Sequence, residues 1–318
     1  MGAAITVEGL RKAYGPLVAV EDVSFEVGQG EIFGVLGPNG SGKTTTVECV
    51  QGLRQADGGR IEVLGLDPRS QRHELRRRIG SQLQESALPE RIKVWEALRL
   101  FASLTPGAAD WAELVGAWGL SAKRDASFAS LSGGQRQRLF VALALVNRPE
   151  VVFLDEMTTG LDPVARRETW GLIEAIRDRG TTVVLVTHFM DEAERLCDRL
   201  AVVKDGRVLA MDTPGGLVAA HAEGIRVSFS VDQDMAWLEG VPHVRRVGRR
   251  GRRVEVEGDG PVLVHLGHAL LDRGVEPGDM RVAQPTLEDV YLRLTGSEGR
   301  ERAHVGGDDL GGDQAVRP

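Results

Sequence analysis

Gly37-Pro38-Asn39-Gly40-Ser41-Gly42-Lys43-Thr44-Thr45 fits the pattern G-x-x-x-x-G-K-[ST] of a phosphate-binding loop. Its setting fits too. The apolar run Ile32-Phe33-Gly34-Val35-Leu36 predicts a buried strand before the loop, and Thr45 onward predicts a helix after it. Glycines let the backbone curl so that its N–H groups point at phosphate oxygens, and the helix N-terminus adds partial positive charge. Lys43 offers a point charge to the β- and γ-phosphates, and Thr44 a hydroxyl for Mg²⁺. The loop therefore predicts a site for a nucleoside triphosphate.

Two segments downstream extend this chemistry. Leu131-Ser132-Gly133-Gly134-Gln135 precedes a helix predicted over 136–147, with Ser132 as its N-cap and two glycines freeing N–H groups for an anion. Serine-glycine pairs are common in loops, so the string gains its weight from a second segment at a fixed distance. Val151-Val152-Phe153-Leu154 reads as an apolar strand that ends in Asp155 and Glu156, about twenty residues on. Such a strand delivers a carboxylate to a fixed point beside the loop, where Asp155 would hold Mg²⁺. Glu156, one residue later, would orient or deprotonate the attacking water.

Together these segments resemble the ATP-binding cassette (ABC) ATPase family, over about residues 5–215. Leu131-Ser132-Gly133-Gly134-Gln135 is similar to its signature sequence, the most specific mark. The resemblance implies an α/β P-loop cassette with a helical subdomain carrying the signature. It also implies roles for single residues. Tyr14 would stack on adenine, whose face a ring recognises without reading its hydrogen bonds. Gln84 would be the glutamine that touches Mg²⁺ and the water, with Gln82 as the neighbouring register. His188, after a strand predicted over 182–186, would contact the γ-phosphate, and Asp162 would help to join two subunits. Met157 stands where many relatives carry proline, which would stiffen the turn; its absence is expected to loosen the loop without removing either carboxylate.

One phosphate loop and one signature occur in the chain. In the family the signature of one subunit covers the ATP held by another, so the resemblance implies a head-to-tail pair around two ATP molecules. That pair closes on the γ-phosphate and opens after hydrolysis. With no second cassette and no internal repeat, the partner is a second copy of the chain or a homologous ATPase.

The 318 residues suffice for two domains, and 42 % hydrophobic content supports a sizeable core. The longest apolar run covers 139–146, far short of the roughly 20 residues needed to cross a bilayer. The start of the chain shows no basic-then-apolar leader, so a cytoplasmic protein is expected, with any spanning helices on another polypeptide. Cys49 and Cys197 read as core thiols rather than a disulfide. The net charge of −7 argues against a general nucleic-acid binder.

After Asp212-Thr213-Pro214-Gly215-Gly216 the pattern changes. A strand over 225–229, a short helix at Met235-Ala236-Trp237-Leu238 and a hairpin over 244–256 turning at Gly251 are predicted. Next come a helix over 262–271, a strand at Met280-Arg281-Val282 and a helix from Thr286. That βαββαβ order fits a small α+β, ferredoxin-like domain with a final helix capped by Thr286 and Asp289. The expected organisation is a cassette over 1–220, an accessory domain over 224–296 and a disordered tail over 297–318. The hairpin carries Arg245, Arg246, Arg249, Arg250, Arg252 and Arg253. A solvated edge that resists strand pairing is the favoured reading; contact with anionic lipid or a partner's acidic loop is the other.

The domain order and Pro285-Thr286-Leu287-Glu288-Asp289-Val290-Tyr291-Leu292 resemble the drug-resistance and antibiotic-export branch. There the cassette pairs with a separate integral membrane permease and expels drugs, lipids or polysaccharides. The alternatives are an importer ATPase and a non-transport ATPase acting on nucleic acid or ribosomes. The first would carry a larger regulatory domain; the second, a coiled-coil insertion, zinc-binding cysteines or tandem cassettes.

Overall fold

The computed structural model describes residues 2–82, 87–221 and 224–296. The expected tail over 297–318 lies outside the described residues, as does Gln84. The chain divides into two compact units, Met1–Gly215 and Gly216–Pro318, so the division falls a few residues before the expected end at 220.

The first unit is built on one mixed sheet. Its strands are β1 (Ala3–Tyr14), β2 (Leu17–Gly28), β3 (Ile32–Leu36), β4 (Gly58–Val63), β5 (Ile79–Gln82), β6 (Val151–Asp155), β7 (Thr182–Thr187), β8 (Arg199–Lys204) and β9 (Arg207–Asp212). They lie in the order β4-β1-β2-β9-β8-β3-β7-β6-β5. The segment β8-β3-β7-β6-β5 is parallel, while β1 pairs antiparallel with β2 and β4. Strands β3, β6 and β7 are buried at every residue, as parallel strands covered on both faces must be.

Its helices are α1 (Lys43–Val50), α2 (Arg72–Arg78), α3 (Val94–Ser103), α4 (Trp111–Ala117), α5 (Gly133–Ala144), α6 (Pro163–Asp178) and α7 (Met190–Leu196); α8 (Pro214–His221) runs across the division. Helices α3 and α5 pack on one another and α3 on α4, with Trp95 and Trp111 ring centres 6.0 Å apart. Helix α5 starts three residues earlier than the sequence predicts, because Ser132 and Gln135 close a capping box over its first turn. Gly80 lets β5 lie against the end of this subdomain: a Cβ there would meet the Ala144 carbonyl at 2.0 Å.

The second unit contains β10 (Ile225–Ser230), β11 (Val244–Arg250), β12 (Arg253–Gly258), α9 (Val262–Asp272), β13 (Arg281–Ala283) and α10 (Leu287–Thr295). The sheet order is β11-β12-β10-β13, antiparallel throughout. Val227, Phe229, Val254, Val256, Leu238, Leu266 and Leu270 form its core. The predicted short helix at 235–238 is instead a 3-10 turn, Ala236–Gly240. Gly240 and Pro242 bound it, and a proline both lacks a donor and holds its predecessor extended, so no α-helix can propagate there. Thr286 caps α10 in a capping box with Asp289, as predicted.

Candidate ATP site

The loop over 37–45 leaves β3 and enters α1, and its glycines answer to backbone contacts. A Cβ on Gly37 would meet the Val203 carbonyl at 2.2 Å. Gly42 has φ 97°, and a Cβ there would meet the Ala19 carbonyl at 2.3 Å. Only glycine tolerates both demands. Gly42 is also the N-cap of α1 and offers no side-chain oxygen to its first turn, so the turn's N–H groups stay available to an anion. Gly40 has φ 80° with open space around it, while Ser41 is buried with its hydroxyl unpartnered. Pro38 closes the turn by accepting from Ser41 N at 3.2 Å. Asn39 and Thr45 complete the segment around Lys43 and Thr44.

Lys43 is buried and donates from Nζ to the carbonyls of Gly37 (2.7 Å) and Pro38 (2.9 Å). Burial pulls its pKa down, opposed by Glu156 and Asp155. Thr44 Oγ1 donates to Asp155 Oδ2 at 3.4 Å, and Asp155 Oδ1 is buried without a partner. Burial and the neighbouring Glu156 raise the Asp155 pKa to about 6, against the pull of Lys43. A hydroxyl beside an under-coordinated carboxylate, both all-oxygen donors, suits Mg²⁺. A bound Mg²⁺ supplies positive charge to phosphate oxygens.

This electrostatic strain is testable. Between about pH 4 and 6 the folded chain keeps a proton on Asp155 that the unfolded chain has released, so stability drops across that window as pH rises. Above it the ionised carboxylate costs stability until a cation offsets it. Asp155→Asn is therefore expected to raise the melting temperature of nucleotide-free protein at pH 7.5 by roughly 2–4 °C. The same variant should lose the extra thermal shift that Mg²⁺ adds to ATP. A lower melting temperature without nucleotide would contradict this account.

Glu156 has φ 47°, the left-handed region that a non-glycine residue enters at a cost of about 1–2 kcal/mol. Its N–H donates to Val186 O at 2.9 Å, which ties the end of β6 to β7. Its Oε1 lies 3.2 Å from His188 Nδ1. Met157 is 1 % exposed, so the turn it was expected to loosen is anchored by a core side chain.

Ser132, Gly133, Gly134 and Gln135 lie elsewhere in the unit. With Gly160, Leu161 and Asp162 they line a shallow pocket of about 300 Å³. Asp162 caps α6, accepting from Val164 N (2.9 Å) and Ala165 N (3.0 Å) ahead of Pro163 at the first helical position. Among the described residues, no hydrogen bond or ion pair joins this cluster to residues 37–45. The structure thus brings together Lys43, Thr44, Asp155, Glu156 and His188, and separately the signature with Asp162. Tyr14 stands at the β1–β2 turn, 38 % exposed, with Lys12 Nζ 5.4 Å and Arg54 Cζ 5.5 Å from its ring centre.

A sequence profile described as ABC transporter matches residues 20–159. The Nod factor export ATP-binding protein I of Ralstonia nicotianae is 38 % identical over 312 residues, which cover 93 % of this chain and 95 % of that protein. This chain belongs to the ABC transporter family. The daunorubicin resistance ATP-binding protein DrrA2 of Streptomyces coeruleorubidus is 37 % identical, over 93 % of this cassette chain and 96 % of its own. A dimeric structure of the ATP-binding cassette MJ0796, in a post-hydrolysis state bound to ADP and Pi, superposes with a TM-score of 0.60 at 25 % identity. It covers 66 % of this chain and 98 % of that one. The protein is an ATPase of this family.

Sequence reasoning missed Glu192, a carboxylate with no accessible surface at the start of α7. An acidic residue in a helix ordinarily marks a solvated face, and nothing in the local string distinguishes this one.

Proposed function

We propose that this ATPase powers export through a separately encoded integral membrane permease. The observation that carries the reading is the span of the likeness: proteins named for Nod factor export and daunorubicin resistance align over 93 % of the chain, second unit included. Drug-like or lipid-like substrates are the matching cargo class. The cassette would sit on the cytoplasmic face of the membrane; among the described residues no helix is long and apolar enough to cross it. Helix α3 presents Leu100 and Phe101 to solvent, and Leu104 at its C-cap is exposed too, an apolar patch on the signature-bearing subdomain that suits a permease loop.

Separation of the phosphate-loop cluster from the signature cluster supports a head-to-tail pair, either a homodimer or a pairing with a homologous chain. In it Ser132, Gly133, Gly134 and Gln135 of one subunit, with Asp162, would close over ATP held by residues 37–45 of the other. Tyr14 would stack on adenine. Thr44 and Asp155, with Gln84, would hold Mg²⁺, while Glu156 acts on the water and His188 and Gln84 sense the γ-phosphate. The second unit would be a ferredoxin-like accessory domain over 224–296.

Tagged Glu156→Gln protein, trapped with Mg-ATP in gently solubilised cells of its source, is expected to bring down a multi-spanning membrane protein identifiable by mass spectrometry. Recovery of soluble proteins or nucleic acid alone would leave the ATPase and overturn the exporter.

A further inference from the structure

Glu192, Thr158 and Thr187 all have no exposed surface. Glu192 Oε1 accepts from the indole Nε1 of Trp170, on α6, at 3.3 Å. Burial raises the Glu192 pKa, opposed by the neighbouring hydroxyls of Thr187 and Thr158 and by the Trp170 N–H. Yet Glu192 Oε2 and Thr158 Oγ1 make no hydrogen bond of normal geometry. Both atoms are buried without a partner, and a buried polar atom so left is costly.

The residues around this carboxylate come from separate elements. Thr158 lies two residues after Glu156, in the turn that leads to Asp162. Thr187 immediately precedes His188 and accepts from Phe189 N at 3.0 Å. Trp170 sits on α6, the helix that Asp162 caps. A parallel set of contacts reinforces the same junction: Arg166 of α6 bonds Asp191 at 3.3 Å and lies over the Phe189 ring at 4.4 Å. His188 and Phe189 pack with ring centres 4.1 Å apart.

We infer that Glu192 is a positioning residue that, bonded to Trp170, clamps the His188 turn to α6 and so holds His188 against Glu156. Glu192 has no exposed surface, so it acts through these neighbours. The inference rests on the proposed roles of Glu156 and His188.

Three variants of the full chain test it by steady-state ATP hydrolysis and thermal melting. Glu192→Gln keeps an acceptor for Trp170 and adds donors, and is expected to retain kcat within about threefold. Glu192→Leu fills the volume but leaves the Trp170 N–H without its acceptor, so it should stay folded and melt a few degrees lower than wild type while kcat falls about 10- to 100-fold. Its KM for ATP should change less than about threefold, since residues 37–45 are untouched. In a His188→Ala background the Glu192→Leu loss should disappear, because a clamp acting through His188 has nothing left to position. Losses that multiply instead, or a Glu192→Leu protein with wild-type kcat, would overturn the clamp. His188→Ala with wild-type turnover would overturn the His188 role, and the clamp with it. An impaired His188→Ala beside an unimpaired Glu192→Leu removes the clamp alone.

Discussion

Replacing Glu156 with glutamine is expected to lower ATP turnover about 10²- to 10⁴-fold while leaving ATP affinity within roughly threefold of wild type. The geometry explains the separation. Glu156 is placed by a fully buried strand, by its N–H bond to Val186 and by a backbone in the left-handed region, none of which depends on the side-chain charge. An amide of the same size can still meet His188 Nδ1 across the 3.2 Å gap. It cannot take up a proton from water at neutral pH, so general-base assistance is lost. Binding is expected to draw on residues 37–45 instead, and removing one of two adjacent carboxylates lessens repulsion toward a polyanion. If the pair closes on ATP and opens on hydrolysis, a variant that binds without hydrolysing accumulates the closed dimer. Single-turnover assays with labelled ATP, paired with size-exclusion chromatography with and without Mg-ATP, check all three effects. Turnover within tenfold of wild type would remove Glu156 from the role of base. A monomer at saturating Mg-ATP would remove the dimer cycle.

The parts of the site legible in the sequence are those whose chemistry is local. Strands β3, β6 and β7 announce themselves as continuous apolar runs because both faces are covered, and each ends where polar residues begin. Ser132 and Thr286 are readable as caps because a cap needs only its own helix. Other features belong to packing at a distance. The reasons Gly37 and Gly42 must be glycine lie in the carbonyls of Val203 and Ala19, far away in sequence. Met157 reads as a missing proline, whereas it is a core side chain. Tyr14 reads as a lone aromatic, and only the fold sets Lys12 and Arg54 beside its ring. Glu192 is invisible for the same reason: Trp170, which bonds it, sits on a different helix, far away in sequence. The short helix of the second unit gives way to a local rule, since Pro242 stops it from the C-terminal side.

Lys43→Ala is expected to weaken ATP binding roughly 10- to 100-fold, the range of a charge-assisted hydrogen bond worth about 1.5–3 kcal/mol. Its Nζ donates to the Gly37 and Pro38 carbonyls at 2.7 and 2.9 Å, so the ammonium is held inside the loop before any phosphate arrives. Holding it there has a cost, visible in a pKa lowered by burial and only partly restored by Glu156 and Asp155. Alanine relieves that cost, and the variant should therefore melt close to wild type in the absence of nucleotide. The consequence for binding runs the other way. Lys43 is one of the influences that keep the Asp155 pKa from rising further, and without it two adjacent carboxylates face the triphosphate with no cation fixed between them. Mg²⁺ then carries the whole neutralisation, so affinity should depend more steeply on Mg²⁺ concentration in Lys43→Ala than in wild type. Titration of a fluorescent ATP analogue at several Mg²⁺ concentrations, with thermal melting as the control for folding, measures both effects. Unchanged affinity in a well-folded variant would mean that residues 37–45 do not grip the phosphates. Weaker binding with an unchanged Mg²⁺ dependence would keep the grip but deny the electrostatic link between Lys43 and Asp155.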